Sequence, residues 1–182
     1  MKVLIVVDMQ NDFIDGTLAA DGGVAIVSNV VNRIKNSEHE LILFTRDTHG
    51  DDYLQTPEGK KLPVVHCIQG SHGWQIQPDI FSAWQTHPAT LVLPELPSPI
   101  FDKPVFGSIQ LVDFLKAHEQ DIEAIEMLGI CTDICVVSNA IMVKNSLPNV
   151  PLSVNANCCA GVSKESHDKA LAVMQMCQID VF

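Results

Sequence analysis

No stretch of these 182 residues approaches the roughly 18–20 uninterrupted apolar positions that a membrane-spanning helix needs. The opening MKVLIVVDMQ also carries an acid where a secretion signal would still be apolar, so a cytoplasmic protein is the expectation. Basic residues are scarce, with 11 Lys and Arg against 22 Asp and Glu, a formal charge of −11. A nucleic acid or an anionic membrane would be repelled by that field, which leaves a small neutral or cationic molecule as the expected partner. Neither an internal repeat nor a low-complexity tract divides the chain. Its length and 47% hydrophobic content suit one domain, 1–182, with a sizeable core. Such a core removes the need for a disulfide scaffold, so Cys67, Cys131, Cys135, Cys158, Cys159 and Cys177 are expected to be thiols.

What the chain does contain is a series of short aliphatic runs. KVLIVVD (2–8), ELILFTRD (40–47), TLVLP (90–94), EAIEMLGI (123–130), VPLSVNA (150–156) and QIDVF (178–182) have strand length, and continuous apolar runs suit parallel strands buried on both faces. Helical spacing lies between them: Val27, Val30, Val31 and Ile34; Leu111, Val112 and Leu115; Ala170, Val173, Met174 and Cys177. Alternating strands and helices predict a three-layer α-β-α architecture with a mainly parallel sheet, whose ligands bind at the carboxyl ends of the strands. The long irregular segment 47–89 carries four histidines and two tryptophans, and a loop of that length in a compact domain is usually functional.

Three strand ends carry reactive side chains. Asp8 closes the first run; Lys103 ends the extended segment PIFDK; Cys135 follows the run ending at Gly129, at the start of the helix expected in TDICVVSNAIMVKN. Each alone has an ordinary reading: a turn cap, a solvated loop charge, a buried structural thiol. Thr132 or Asp133 would sit near the N-cap, and a first-turn position would lower the Cys135 thiol pKa. Parallel topology would bring all three to one rim. A carboxylate there could take the thiol proton and return it to a leaving amine, while the ammonium stabilises both anions.

The motifs VDMQNDF (7–13), DKPVFGS (102–108) and GICTDICV (129–136) resemble the three signatures of the isochorismatase-like cysteine hydrolases, and within that superfamily the chain is most similar to the nicotinamidase/pyrazinamidase group. The resemblance implies a Rossmann-like fold with a six-stranded sheet, Asp8 as general base and acid, Lys103 as electrostatic stabiliser and Cys135 as nucleophile. It implies an oxyanion hole from the backbone N–H groups of Cys131 and Cys135, with a cis peptide between Ile130 and Cys131. It also implies substrate contacts from Phe13 and Phe106, and a homodimer or homotetramer.

The same group holds one divalent metal ion with an Asp-x-His pair, a further acid or histidine, and a later histidine. Here Asp47, His49, Glu58 and His66 take those places, with Asp51 and Asp52 as rivals to Glu58. Nitrogen and oxygen ligands suit Zn²⁺, Mn²⁺ or Fe²⁺. The expected activity is hydrolysis of nicotinamide, or a related carboxamide such as pyrazinamide, to the acid and ammonia through a Cys135 thioester. Rival readings are a metal-free relative acting on another small amide or a vinyl ether, and a non-catalytic small-molecule or metal-binding module. Cys158 and Cys159 are expected in a turn after the fifth strand and Cys67 and Cys177 as packing thiols, while for His72 and Trp74 a pocket-mouth position is the minority reading beside ordinary loop residues.

Overall fold

Five consecutive residues of β1 (Lys2–Val7), Val3 through Val7, have no solvent exposure, as a strand covered on both faces requires. The computed structural model describes residues 1–88, 93 and 96–182. Along the chain follow α1 (Asn11–Ile14), α2 (Gly23–Lys35), β2 (Leu41–Asp47), α3 (Pro57–Lys61), α4 (Pro78–Gln85), β3 (Ile100–Lys103), α5 (Ile109–Ala117), β4 (Ala124–Ile130), α6 (Val137–Ser146), β5 (Leu152–Ala160), α7 (Lys164–Met176) and β6 (Asp180–Val181).

The strands form one six-stranded sheet in the order β3-β2-β1-β4-β5-β6, and every neighbouring pair is parallel. Helices α2 and α4 pack together on one face, while α5, α6 and α7 follow one another on the other. The order reverses between β1 and β4, which opens a crevice at their carboxyl ends. Asp8 leaves β1 there, and the Cys131–Cys135 segment leaves β4 beside it.

Several boundaries differ from the sequence expectation. The strand anticipated at TLVLP falls, apart from Leu93, outside the described residues, and the third strand of the sheet is Ile100–Lys103. The segment 47–89 is not irregular throughout: it holds a 3₁₀ turn (Tyr53–Gln55), α3 and α4. Thr56 starts α3 by accepting the Gly59 N–H through its hydroxyl, with Pro57 supplying a preset φ. Cys158 and Cys159 lie inside β5 as buried free thiols, because β5 continues to Ala160 and pairs Cys159 with Gly129. The expected apolar face of α7 is half realised. Ala170 and Met174 are buried, whereas Val173 and Cys177 are exposed, so Cys177 is not a packing thiol.

Gly129 is a site where only glycine fits. Its φ is +133°, and a Cβ there would stand 2.0 Å from the Val7 carbonyl oxygen. The register between β4 and β5 shifts at the same point. The two central strands are thereby pressed together just before the segment that carries Cys131 and Cys135.

Candidate active site

Lys103 ends an edge strand two positions from β1, roughly 10 Å away at the usual strand spacing. Its side chain is long enough to cross β2. The ammonium is buried with Nζ 2.6 Å from Asp8 Oδ2, 3.5 Å from Asp47 Oδ1 and 3.5 Å from Cys135 Sγ. The three strand-end residues therefore converge, although they are far apart in the chain. Asp8 has φ +48°, and its Oδ1 accepts the Thr45 hydroxyl at 2.7 Å. Its Oδ2 makes no hydrogen bond of acceptable angle despite the nearby ammonium.

Electrostatics in this knot differ from the first-turn expectation for Cys135. The residue lies in a π-helical turn, Thr132–Val136, whose N-cap is Cys131 rather than Thr132 or Asp133 and has no side-chain cap. The thiol pKa is raised well above its ordinary value, first by burial and then by the Asp8 carboxylate, with Lys103 opposing and Asp47 adding to the rise. Dipole stabilisation loses first to burial, to which the carboxylates arriving from β1 and β2 add. The Asp8 carboxyl is likewise pushed up, by burial against the pull of Lys103. The Lys103 ammonium is pushed up overall: burial disfavours it, but its anionic neighbours outweigh burial.

The peptide bond between Ile130 and Cys131 is cis. The Cys131 carbonyl accepts the amides of Ile134 and Val136, skipping that of Cys135. Asn139, one turn later and fully buried, donates to the carbonyls of Cys135 (2.8 Å) and Phe106 (3.1 Å) and accepts the Ser108 N–H (2.9 Å). One amide thus ties the thiol-bearing turn to the loop after Lys103.

Beside the knot, Asp47, His49 and His66 present ligand atoms that all lie within 4.8 Å of one another, and all three residues are buried. Asp47 Oδ2 is 2.9 Å from His49 Nε2 and 3.5 Å from His66 Nε2. His49 Nε2 nevertheless makes no hydrogen bond of acceptable angle, an orphaned buried nitrogen. His66 Nδ1 lies 2.8 Å from the Val64 carbonyl, which only a protonated Nδ1 can satisfy, so Nε2 is the nitrogen that faces the cluster. Asp47 is held well below the usual carboxylate range: burial opposes this, but both histidines and Lys103 outweigh it. An anionic oxygen with two imidazole nitrogens is a donor set suited to a borderline divalent cation.

Glu58 is less tightly placed, with Oε1 4.0 Å from His49 Nε2, and its carboxyl is raised by burial and by Asp47. Its rivals Asp51 and Asp52 are exposed. Tyr53 and Gln10, which carry no motif role in the sequence reading, support the cluster. The buried Tyr53 ring packs against His49 (4.6 Å between centroids) and His66 (4.9 Å), and its hydroxyl donates to the Leu62 carbonyl. Gln10 holds Asp47 through both main-chain groups, accepting its N–H (2.7 Å) and donating to its carbonyl (2.8 Å). Its place inside MQNDF is the signal that could have marked it.

A cavity of about 470 Å³ joins the two clusters, lined by Asp47, Glu58, His66, Cys131 and Cys135, with Phe13, Phe106, Leu18, Leu62 and Val162 among its walls. Phe13 is buried, while Phe106 is 46% exposed at the rim. His72 and Trp74 are not among the lining residues. Trp74 lies under the Arg46 guanidinium and donates to Thr48, and the His72 carbonyl accepts from Asn11. The remaining histidines have partners of their own: His39 with Ser37 and Glu126, His87 with the Ser37 carbonyl, His118 with the Phe114 carbonyl, and His167 with Thr132.

Compared with known protein families, residues 2–181 match the isochorismatase domain. The nicotinamidase/pyrazinamidase of Mycobacterium tuberculosis is 26% identical over 199 residues, covering 100% of this chain and 98% of its own. The nicotinamidase of Escherichia coli is 28% identical over 200 residues, with 96% and 90% covered. Among solved structures, the pyrazinamidase of Pyrococcus horikoshii in complex with zinc superposes with a TM-score of 0.77 at 23% identity, covering 100% of this chain and 98% of that one. At that identity the likeness speaks to the fold.

Proposed function

The chain belongs to the isochorismatase family, and we propose that it is a metal-containing cysteine amidohydrolase converting nicotinamide, or a related aromatic carboxamide such as pyrazinamide, to the acid and ammonia. The observation that carries this reading is one cavity with a thiol–carboxylate–ammonium knot at one side and an Asp-His-His cluster at the other. The names of its curated relatives supply the substrate class. Cytoplasmic salvage of nicotinamide is the matching role. Among the described residues no helix is long and apolar enough to cross a membrane.

In this mechanism the substrate amide carbon lies against Cys135 Sγ. As the S–C bond forms, the thiol proton passes to Asp8, whose raised pKa suits it to accept one. Because the thiol is itself raised, proton transfer accompanies attack rather than preceding it. The N–H groups of Cys131 and Cys135 bind the oxyanion. Asp8 returns the proton to the nitrogen, the C–N bond breaks, and ammonia leaves a thioester. Water then adds, losing one proton to Asp8, and the C–S bond breaks as Asp8 passes that proton to the departing sulfur, giving the acid and restoring both thiol and carboxylate. Lys103 remains charged throughout and offsets the negative charge that moves between Asp8 and Cys135. Asp47, His49 and His66, with Glu58 nearby, would hold a divalent ion, which when bound supplies a Lewis acid for a ring nitrogen.

The test is an ammonia-release assay over nicotinamide, pyrazinamide and non-aromatic amides, on protein whose metal has been counted. One divalent ion per chain, with the aromatic carboxamides as best substrates, is expected. Metal-free protein that releases no ammonia from either would overturn the reading.

A further inference from the structure

The turn that carries Cys135 lacks a side-chain N-cap, and its carbonyl ladder passes over the Cys135 amide. Its shape must therefore be set from outside. Besides Asn139, two consecutive side chains of the turn engage α7 and the residues leading into it. Thr132, fully buried, shares a 2.8 Å hydrogen bond between its hydroxyl and His167 Nδ1. Asp133 accepts the Val162 N–H through both carboxylate oxygens, at 3.1 and 3.2 Å. Gly161 lies so close that a Cβ would meet His167 Cβ at 2.9 Å and Asp133 Oδ1 at 3.2 Å. The support itself is stiff: α7 runs 13 residues from a Ser163 capping box, and the Gly161 carbonyl accepts the Asp21 N–H.

We infer that His167 is a positioning residue for the oxyanion-binding turn: through Thr132, and alongside the Asp133–Val162 contact, it clamps residues 132–136 to α7 and so aims the amides of Cys131 and Cys135. This rests on the amidase reading above. Thr132 follows Cys131 directly, so a shift of its side chain moves one oxyanion donor at once. Displacements of about 1 Å in such groups cost up to about 10²-fold in rate. His167 is not among the residues that line the cavity, and its effect passes through Thr132.

The experiment compares wild type, His167→Ala, His167→Asn and Thr132→Val for turnover of nicotinamide, for binding of nicotinate, and for binding of pyridine-3-carbaldehyde. Addition of the Cys135 thiol across that aldehyde forms an S–C bond, opens the C=O π bond and leaves the thiol proton on the new oxygen, which occupies the oxyanion position. For His167→Ala we expect kcat to fall about tenfold or more with KM within about twofold. Aldehyde affinity should fall by the same factor, with nicotinate affinity little changed. Asn, whose amide reaches the position of Nδ1, should recover most of the loss. Thr132→Val should reproduce the loss, and combining it with His167→Ala should add little. A His167→Ala enzyme with wild-type kcat and aldehyde affinity overturns the clamp, as does a kcat loss that leaves aldehyde affinity intact. If wild type hydrolyses neither amide, the amidase reading fails, yet aldehyde binding still tests the clamp because it needs no turnover.

Discussion

Among the described residues two buried ionic networks stand out, and they differ in how their carboxylates are held. Under α2, Glu126 of β4 receives two hydrogen bonds from Arg33 and one from Asn155 at 3.2 Å, with His39 3.6 Å away. Burial pushes its pKa up, but Arg33 and Asn155 outweigh that and hold the carboxyl below its ordinary range. At the carboxyl ends of the strands, Asp8 has one oxygen bonded to Thr45 and the other without an aligned donor, and there burial wins. A carboxylate with both oxygens filled is fixed as an anion and locks β4 to α2. One whose second oxygen meets only the poorly aligned Lys103 ammonium, at 2.6 Å, can take a proton, and it is the one placed beside the thiol.

The largest effect should come from the reactive network itself. Cys135→Ala should reduce ammonia release to background while the protein stays folded by circular dichroism. Cys131→Ala, which keeps the backbone N–H, should retain substantial activity. Comparable losses in the two would undo the division between sulfur and amide. Next in size is Asp8→Asn, which preserves shape and the Thr45 contact but removes the proton acceptor. Loss of a general base is worth about 10²–10⁴-fold in kcat. An Asp8→Asn enzyme within about threefold of wild type would show that the open oxygen is not the base.

Much of this arrangement is legible in the sequence because it depends on where strands end. The aliphatic runs of β1 and β2 are continuous and that of β4 is broken only by Glu126, so their carboxyl ends, with Asp8, Asp47 and the Cys131–Cys135 segment, can be placed from the sequence. Strand β3 is harder. It is a four-residue strand with a single neighbour among the described residues, and its sequence IFDK is half charged. The sign of the Cys135 shift is illegible for another reason. Helix position is local, but the burial that chiefly raises the thiol comes from the folded packing, and the carboxylates that add to it come from strands more than 80 residues upstream. Tyr53, Asn139 and His167 act on backbone and ring positions that only the folded chain brings near.

The smallest effect sharpens the comparison from the other side. Glu126→Gln removes the charge from the satisfied network without emptying the space. Hydrogen bonds to a charged group contribute roughly 2 kcal/mol, and Arg33 is only 29% exposed, so water compensates in part. The expected loss is a fall in Tm of about 4–8 °C, with kcat for nicotinamide within about twofold of wild type. The pH dependence has a definite sign. Glu126 has a folded pKa below its unfolded value near 4.5, so its contribution is fully present above that value and is lost as pH falls through the folded pKa. The Tm gap between wild type and Glu126→Gln should accordingly be widest near neutrality and narrow in acid. A gap that stays constant down to about pH 3 would mean the carboxylate charge is not what stabilises β4 against α2. A kcat loss as large as that of Asp8→Asn would mean the two networks are one, because the satisfied carboxylate would then share in the chemistry that the open one performs.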